Sequence, residues 1–100
     1  AKSDEGELYV RLGNVYLDGD QFTKAADSVE KGLKKGGVKR PDQARLVLGM
    51  AYFNLGEYDK ARRAFREAGK DDRSAKYSKQ WIAYVTSEED RQRELEKDIF

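Results

Sequence analysis

Leu48-Gly49-Met50-Ala51-Tyr52, with Ala61, Phe65 and Ala68 after it, lands on Leu12-Gly13-Asn14-Val15-Tyr16, Ala25, Val29 and Gly32 when the chain is slid back by 36 residues, and Tyr58 lands on Phe22. A chain that repeats itself over such a period is restricted to copies of one supersecondary unit that bury their apolar faces against each other. In each copy Leu, Gly and Tyr fall at i, i+1 and i+4, on one side of a helix. A glycine inside a helix costs about 1 kcal/mol against Ala, so Gly13 and Gly49 predict that a second helix approaches closely there. That second helix is expected to carry Ala25, Val29 and Gly32 in copy one and Ala61, Phe65 and Ala68 in copy two, spaced i, i+4, i+7. Asp18-Gly19-Asp20 and Leu55-Gly56-Glu57 mark the turns, with the glycine supplying the left-handed residue that ends the first helix.

The periodicity predicts helices over about 5–18, 21–35, 41–55 and 57–68, and a last one from near Arg73 to close to Phe100. Ser3 or Asp4 can cap the first, and Pro41 opens the third at a position where its missing N–H costs nothing. The first helix also carries Leu8 and Val15, where copy two has Ala44 and Ala51. Four basic residues surround Gly36-Gly37, but no Ser or Thr follows them and no strand precedes, so they read as a solvated loop and not as a phosphate cradle. On the fourth helix Lys60, Arg62, Arg63, Arg66 and Lys70 point outward among Glu57, Asp59 and Glu67, a pattern of exposed ion pairing. The last helix holds Tyr77, Trp81, Ile82, Tyr84 and Val85 in its first half, enough to cover the second copy. Its second half is nearly all charged, with Leu95 and Ile99 as exceptions, which suits the capping element that stacked repeats need for solubility. Thr86-x-x-Glu89 offers a capping box and hence a break; one continuous helix is the preferred reading.

Composition narrows the chemistry. With 38% apolar and 39% charged residues the chain is hydrophilic, yet its apolar residues keep helical spacing, which argues against disorder. A formal net charge of +1 gives little nonspecific pull toward nucleic acid or an anionic membrane, and no apolar run is long enough for membrane insertion. The absence of cysteine removes disulfides and thiolate chemistry, and the absence of histidine removes the commonest general base and zinc ligand. The serines therefore lack an activating base, and Asp18, Asp20 and Asp27 do not match a calcium loop. No enzyme, cofactor or metal site is expected. Opening at Ala1 without a Met suggests a trimmed or processed chain.

The repeat resembles the tetratricopeptide repeat family, whose pattern of about 34 residues runs W-x2-L-G-x2-Y, then Ala, Phe and Pro. Tyr9, Leu12, Gly13, Tyr16, Ala25 and Val29 fill it in copy one, and Leu48, Gly49, Tyr52, Ala61 and Phe65 in copy two. Arg45 stands where the first aromatic belongs in copy two, the final Pro is absent from both copies, and two extra residues fall in the 36–41 loop. The resemblance implies an all-α fold: antiparallel helical hairpins, two repeats of about 6–39 and 42–75, stacked as a short right-handed solenoid. A capping helix over about 73–100 completes one domain spanning 1–100. More narrowly, Gln80-Trp81-Ile82-Ala83-Tyr84-Val85 and the charged run after it are similar to the closing segment of Gram-negative bacterial tetratricopeptide proteins, some of which accompany TonB-type systems. That likeness implies a periplasmic or envelope-associated protein.

In tetratricopeptide arrays the first helix of each repeat lines a concave groove, and the resemblance places ligands there. The row it implies is Val10, Asn14 and Leu17 in copy one and Leu46, Met50 and Phe53 in copy two, bordered by Tyr84 or Gln80. A Met and an aromatic at such positions suit an adaptable apolar or amphipathic peptide site; the alternative is that the last helix covers part of the row. The carboxylate-clamp members are matched only at Asn14, since Val10 and Val47 occupy the places of a clamp lysine and asparagine. Two functions follow as expectations. One is a non-catalytic module binding a protein or peptide partner. The other is an end piece of a longer array, or a homodimer that associates through Leu8, Val15, Leu95, Ile99 and Phe100; the alternative for Leu8 and Val15 is two isolated apolar residues tolerated at a surface.

Overall fold

Five helices run through residues 4–99, the part of the chain described by the computed structural model: α1 (Glu5–Asp18), α2 (Phe22–Lys35), α3 (Pro41–Asn54), α4 (Tyr58–Ala68) and α5 (Ala75–Ile99). Three-residue connections after α1 and α3 reverse the chain, so α1 packs on α2 and α3 on α4 as antiparallel hairpins. The hairpins meet through α2 against α3, with α1 also touching α3, and α5 lies on α4. Phe100 and Ser3 lie outside the described residues, and Asp4 stands at the head of α1 without a side-chain capping bond to it.

Both hairpin turns close in the same way. The Gln21 amide donates to the Tyr16 carbonyl and the Asp20 amide to Leu17; 36 residues on, Glu57 donates to Tyr52 and Gly56 to Phe53. This paired pattern demands a left-handed residue at its centre. Gly56 takes it with φ 75°, and in the first turn the residue is Asp20 with φ 59°, not Gly19, whose φ is −90°. The expected glycine is thus one position early in copy one, because the 36-residue register sets Asp20, and not Gly19, opposite Gly56.

The helix-interior glycines serve close approach as expected. A Cβ on Gly13 would sit 2.4 Å from the Val29 Cγ2, and one on Gly49 2.6 to 2.8 Å from three ring carbons of Phe65. Two core clusters result. Val10, Ala25, Ala26, Val29, Ala44, Leu48, Ala51 and Ala64 join the two hairpins. Ala61, Phe65 and Val85 join α4 to α5, with Trp81 stacked on Phe65 at 5.1 Å and 10°.

Equivalent positions are treated unequally by the stack. Ala44, Leu48 and Ala51 are 1%, 8% and 0% exposed because α2 lies against them, whereas their counterparts Leu8, Leu12 and Val15 on α1 are 58%, 41% and 66% exposed. Leu12, expected to face its partner helix, is therefore largely open, since its position is covered by a preceding hairpin and not by its own. Tyr77, expected to cover the second hairpin, is likewise exposed, while Trp81, Ile82 and Val85 do the covering.

α5 is one unbroken helix through Thr86 and Ser87. Glu89 does not cap there; it pairs at 3.0 Å with Arg62 of α4, which also holds Asp59 at 2.6 Å. Arg62 consequently points into the α4–α5 junction and not outward with the other α4 cations. At 1.5 Å per residue α5 is about 37 Å long against about 16 Å for α4, so its second half overhangs, and the molecule measures 55 × 28 × 18 Å.

Candidate functional site

α3 contributes to both faces of the stack. At about 100° per residue, Leu46 and Met50 project from one side of it and Arg45, Leu48 and Tyr52 from the other. On the first side a cavity of about 450 Å³ opens between α1 and α3, with Val10, Asn14, Leu46, Val47 and Met50 among its walls. Val10 is 7% exposed and forms the floor, and Asn14 stands open at the edge. The rim is polar. Glu7 accepts the Lys39 backbone amide at 3.2 Å and pairs with Arg11 at 3.5 Å, so its charge is satisfied within the protein.

Four residues of the expected row, Val10, Asn14, Leu46 and Met50, thus share one cavity. Leu17 packs instead against the first core cluster. Phe53 turns toward α5, with ring centroids 5.3 Å from Tyr84, 6.1 Å from Trp81 and 6.0 Å from Tyr58. Its ring is half-buried beside α5. Tyr84, half exposed, borders a small recess of about 210 Å³ with Gln80 and Trp81. The apolar residues expected to mediate self-association do not form one patch. Leu8 and Val15 lie on α1 at one end of the stack, and Leu95 and Ile99 on the α5 overhang at the other, 44% and 73% exposed.

The opposite side of α3 holds features that sequence reasoning missed. A wider cavity of about 680 Å³ lies between α2 and α4, floored by Arg45, Leu48 and Tyr52. The Tyr52 hydroxyl donates to the Glu30 carboxylate, and burial followed by that carboxylate pushes the phenol above its ordinary range. The signal for the cavity was Arg45 itself, a polar residue where copy one has the ring of Tyr9.

Asp42 is 3% exposed at the first turn of α3, although the chain is rich in exposed charge. Arg40 donates to it at 2.9 and 2.6 Å, the Ser74 hydroxyl at 2.7 Å, and Arg73 approaches to 3.9 Å. The Arg40 guanidinium, against the opposing effect of burial and with help from Ser74, holds this carboxyl well below the usual range. Its counterpart in copy one is Gly6, where a Cβ would clash with the Gly32 and Gly36 carbonyls. One junction is closed by bare backbone, the other by a buried carboxylate. The cluster is a structural clasp, with every oxygen partner supplied by the protein.

Among the described residues no group of three or more His, Cys, Asp or Glu is placed to hold a metal ion, and no helix is long and apolar enough to cross a membrane. Comparison with curated proteins and with solved structures gives no match. A family model described as the tetratricopeptide repeat matches residues 10–75, starting within α1 and ending where α5 begins, before the segment that carries the narrower likeness to envelope proteins. With a repeat visible in the residues, two hairpins closed by equivalent turns, and a family match over more than half its length, the chain belongs to the tetratricopeptide repeat family.

Proposed function

We propose that the chain works as a single domain of two repeats, about 6–39 and 42–75, with a C-terminal capping helix, and that it is a non-catalytic module binding an apolar or amphipathic segment of a protein partner. Repeats of this family generally serve protein–protein interaction. The observation that carries the finer reading is the cavity between α1 and α3, where Val10, Leu46 and Met50 form an apolar floor beside the open Asn14 and the polar rim of Glu7, Arg11 and Lys39. An apolar side chain of the partner would seat against Met50, whose flexible thioether adapts to irregular shapes. The partner is a protein and not nucleic acid, in keeping with the net charge of +1.

Panning a displayed library of random peptides against the chain tests this. Enriched peptides should be rich in apolar residues, and Met50→Lys should weaken them at least about tenfold, the cost of forcing a charge against an apolar contact. Asn14→Lys, at an exposed position, supplies a second variant that leaves the core alone. Undiminished binding to both variants would place the ligand elsewhere.

A second reading is favoured by the inequality between α1 and α3. The surface of Leu8, Leu12 and Val15 is the counterpart of one that is buried in copy two, so we infer that another hairpin, from a longer array or a second copy of the chain, can cover it. The end residues Leu95 and Ile99, with Phe100, would contribute at the other end of such a contact. Light scattering across a dilution series decides: a mass that falls on dilution, and stays monomeric in Val15→Lys, supports it, and a monomer throughout removes self-association.

A further inference from the structure

We propose a second binding site on the face opposite the α1/α3 cavity: the groove between α2 and α4, which would take an acidic, amphipathic peptide segment of a partner protein. The groove has a volume of about 680 Å³, and one residue distinguishes it from the equivalent place in copy one. In copy one the corresponding position is Tyr9, whose ring fills space and lies beneath the ammonium groups of Lys31 and Lys35 at 6.0 and 5.8 Å. In copy two Arg45 replaces the ring, leaving room above Leu48 and bringing a guanidinium to the floor.

The charge of the walls is equally unequal between the copies. Where α2 carries Asp27 and Glu30, α4 carries Arg63 and Arg66. Five cations, Arg45, Lys60, Arg63, Arg66 and Lys70, line the groove against two carboxylates, Glu30 and Glu67. Both carboxylates are engaged: Glu30 by the Tyr52 hydroxyl and Glu67 by Lys70 at 2.5 Å. Lys60 pairs with Glu57 at 3.6 Å and sits 5.5 Å above the Tyr52 ring. Arg63 and Arg66, by contrast, have no ion-pair or hydrogen-bond partner among the described residues, and Arg45 reaches Glu67 only through longer-range attraction. A local excess of positive charge in a chain of net charge +1 is a placed feature and not a reflection of composition.

The occupant follows from these walls. Three guanidiniums offer planar, two-pronged donors that match carboxylates, and the floor of Leu48, Tyr52 and Ala64 offers apolar contact between them. Asp or Glu side chains interleaved with an apolar residue satisfy both, whereas a phosphate backbone would leave the apolar floor unused. The two sites occupy opposite sides of α3, so this one stands independently of the α1/α3 reading.

The test uses a short fluorescein-labelled peptide of Glu and Leu in helical alternation, followed by fluorescence anisotropy, with its Lys/Leu counterpart and an oligothymidylate as comparison probes. The Glu/Leu peptide should bind saturably, more tightly than either comparison probe, and Arg63→Glu with Arg66→Glu should weaken it at least about tenfold, as the loss of charge-assisted hydrogen bonds entails. Both arginines are exposed and unpartnered, so the fold should persist by circular dichroism. Arg45→Tyr, which restores the residue type of copy one, should also abolish binding while the melting temperature holds or rises. The proposal fails if the peptide does not bind saturably, if the arginine variants bind it as tightly as the parent, or if oligothymidylate binds more tightly.

Discussion

At Gly49 two residue-scale preferences oppose each other, and their magnitudes decide the sign. Ala would gain about 1 kcal/mol in helix propensity, but its Cβ would press on three carbons of the Phe65 ring, which has no exposed surface and is stacked on Trp81. Overpacking of a closed core costs about 1–3 kcal/mol, and a ring held on both sides cannot retreat. Gly49→Ala should therefore lower stability, by up to about 2 kcal/mol, in urea melts; a more stable variant would mean that α3 and α4 can separate without loss. Asp42 has a different signature. Removing a buried charged partner costs about 3 kcal/mol, so Asp42→Ala should be destabilised by about that much at neutral pH. Because its folded pKa is lowered, its contribution is complete above the unfolded value of about 3.9 and is lost as pH falls toward the folded one. The gap between parent and variant should thus narrow below about pH 4. A gap constant down to acid pH would show that the carboxylate is not ionised in the clasp.

The five helices were legible because each element states its period, its turn and its partner-facing glycine within a few residues. Their ends fall within two residues of the expectation, since Gly36-Gly37, Pro41 and Gly56 punctuate the chain. What was not legible depends on which element covers which. The burial of Asp42 follows from Ser74 arriving 32 residues later, and the inward turn of Arg62 from Glu89 arriving on α5. Likewise the aromatic neighbours of Phe53 on α5 come from 28 and 31 residues later in the chain. α5 itself divides into two halves of unlike energetics. Residues 78–85 supply Trp81, Ile82 and Val85 to a core, whereas Arg91 to Ile99 is exposed and tied only by pairs such as Arg91–Glu88 at 2.9 Å and Lys97–Glu94 at 3.5 Å. Exposed pairs are worth about 0.3–0.5 kcal/mol each. A chain ending at Asp90 should accordingly melt within about 5 °C of the parent, while Trp81→Ala should lose about 3 kcal/mol. A large loss on truncation would reveal a role for the overhang in holding the stack.

At the scale of the molecule, a repeat protein is stabilised by each unit and by each interface between neighbours, and the interfaces here are unevenly shared. The second hairpin is flanked on both sides, by α2 on α3 and by α5 on α4, and contains Phe65, the largest fully buried side chain. The first hairpin is flanked on one side only and leaves Leu8, Leu12 and Val15 open. Between the two hairpins, opening should therefore begin at α1, whose outer face has no neighbouring helix. Native-state hydrogen exchange should show weaker protection in α1 than in α3 and α4, and a partner that covers Leu8 and Val15 should raise α1 protection selectively. Equal protection throughout would mean that the α2–α3 interface couples the hairpins into one unit, and the exposed α1 surface would then have to be explained by binding alone and not by an incomplete stack.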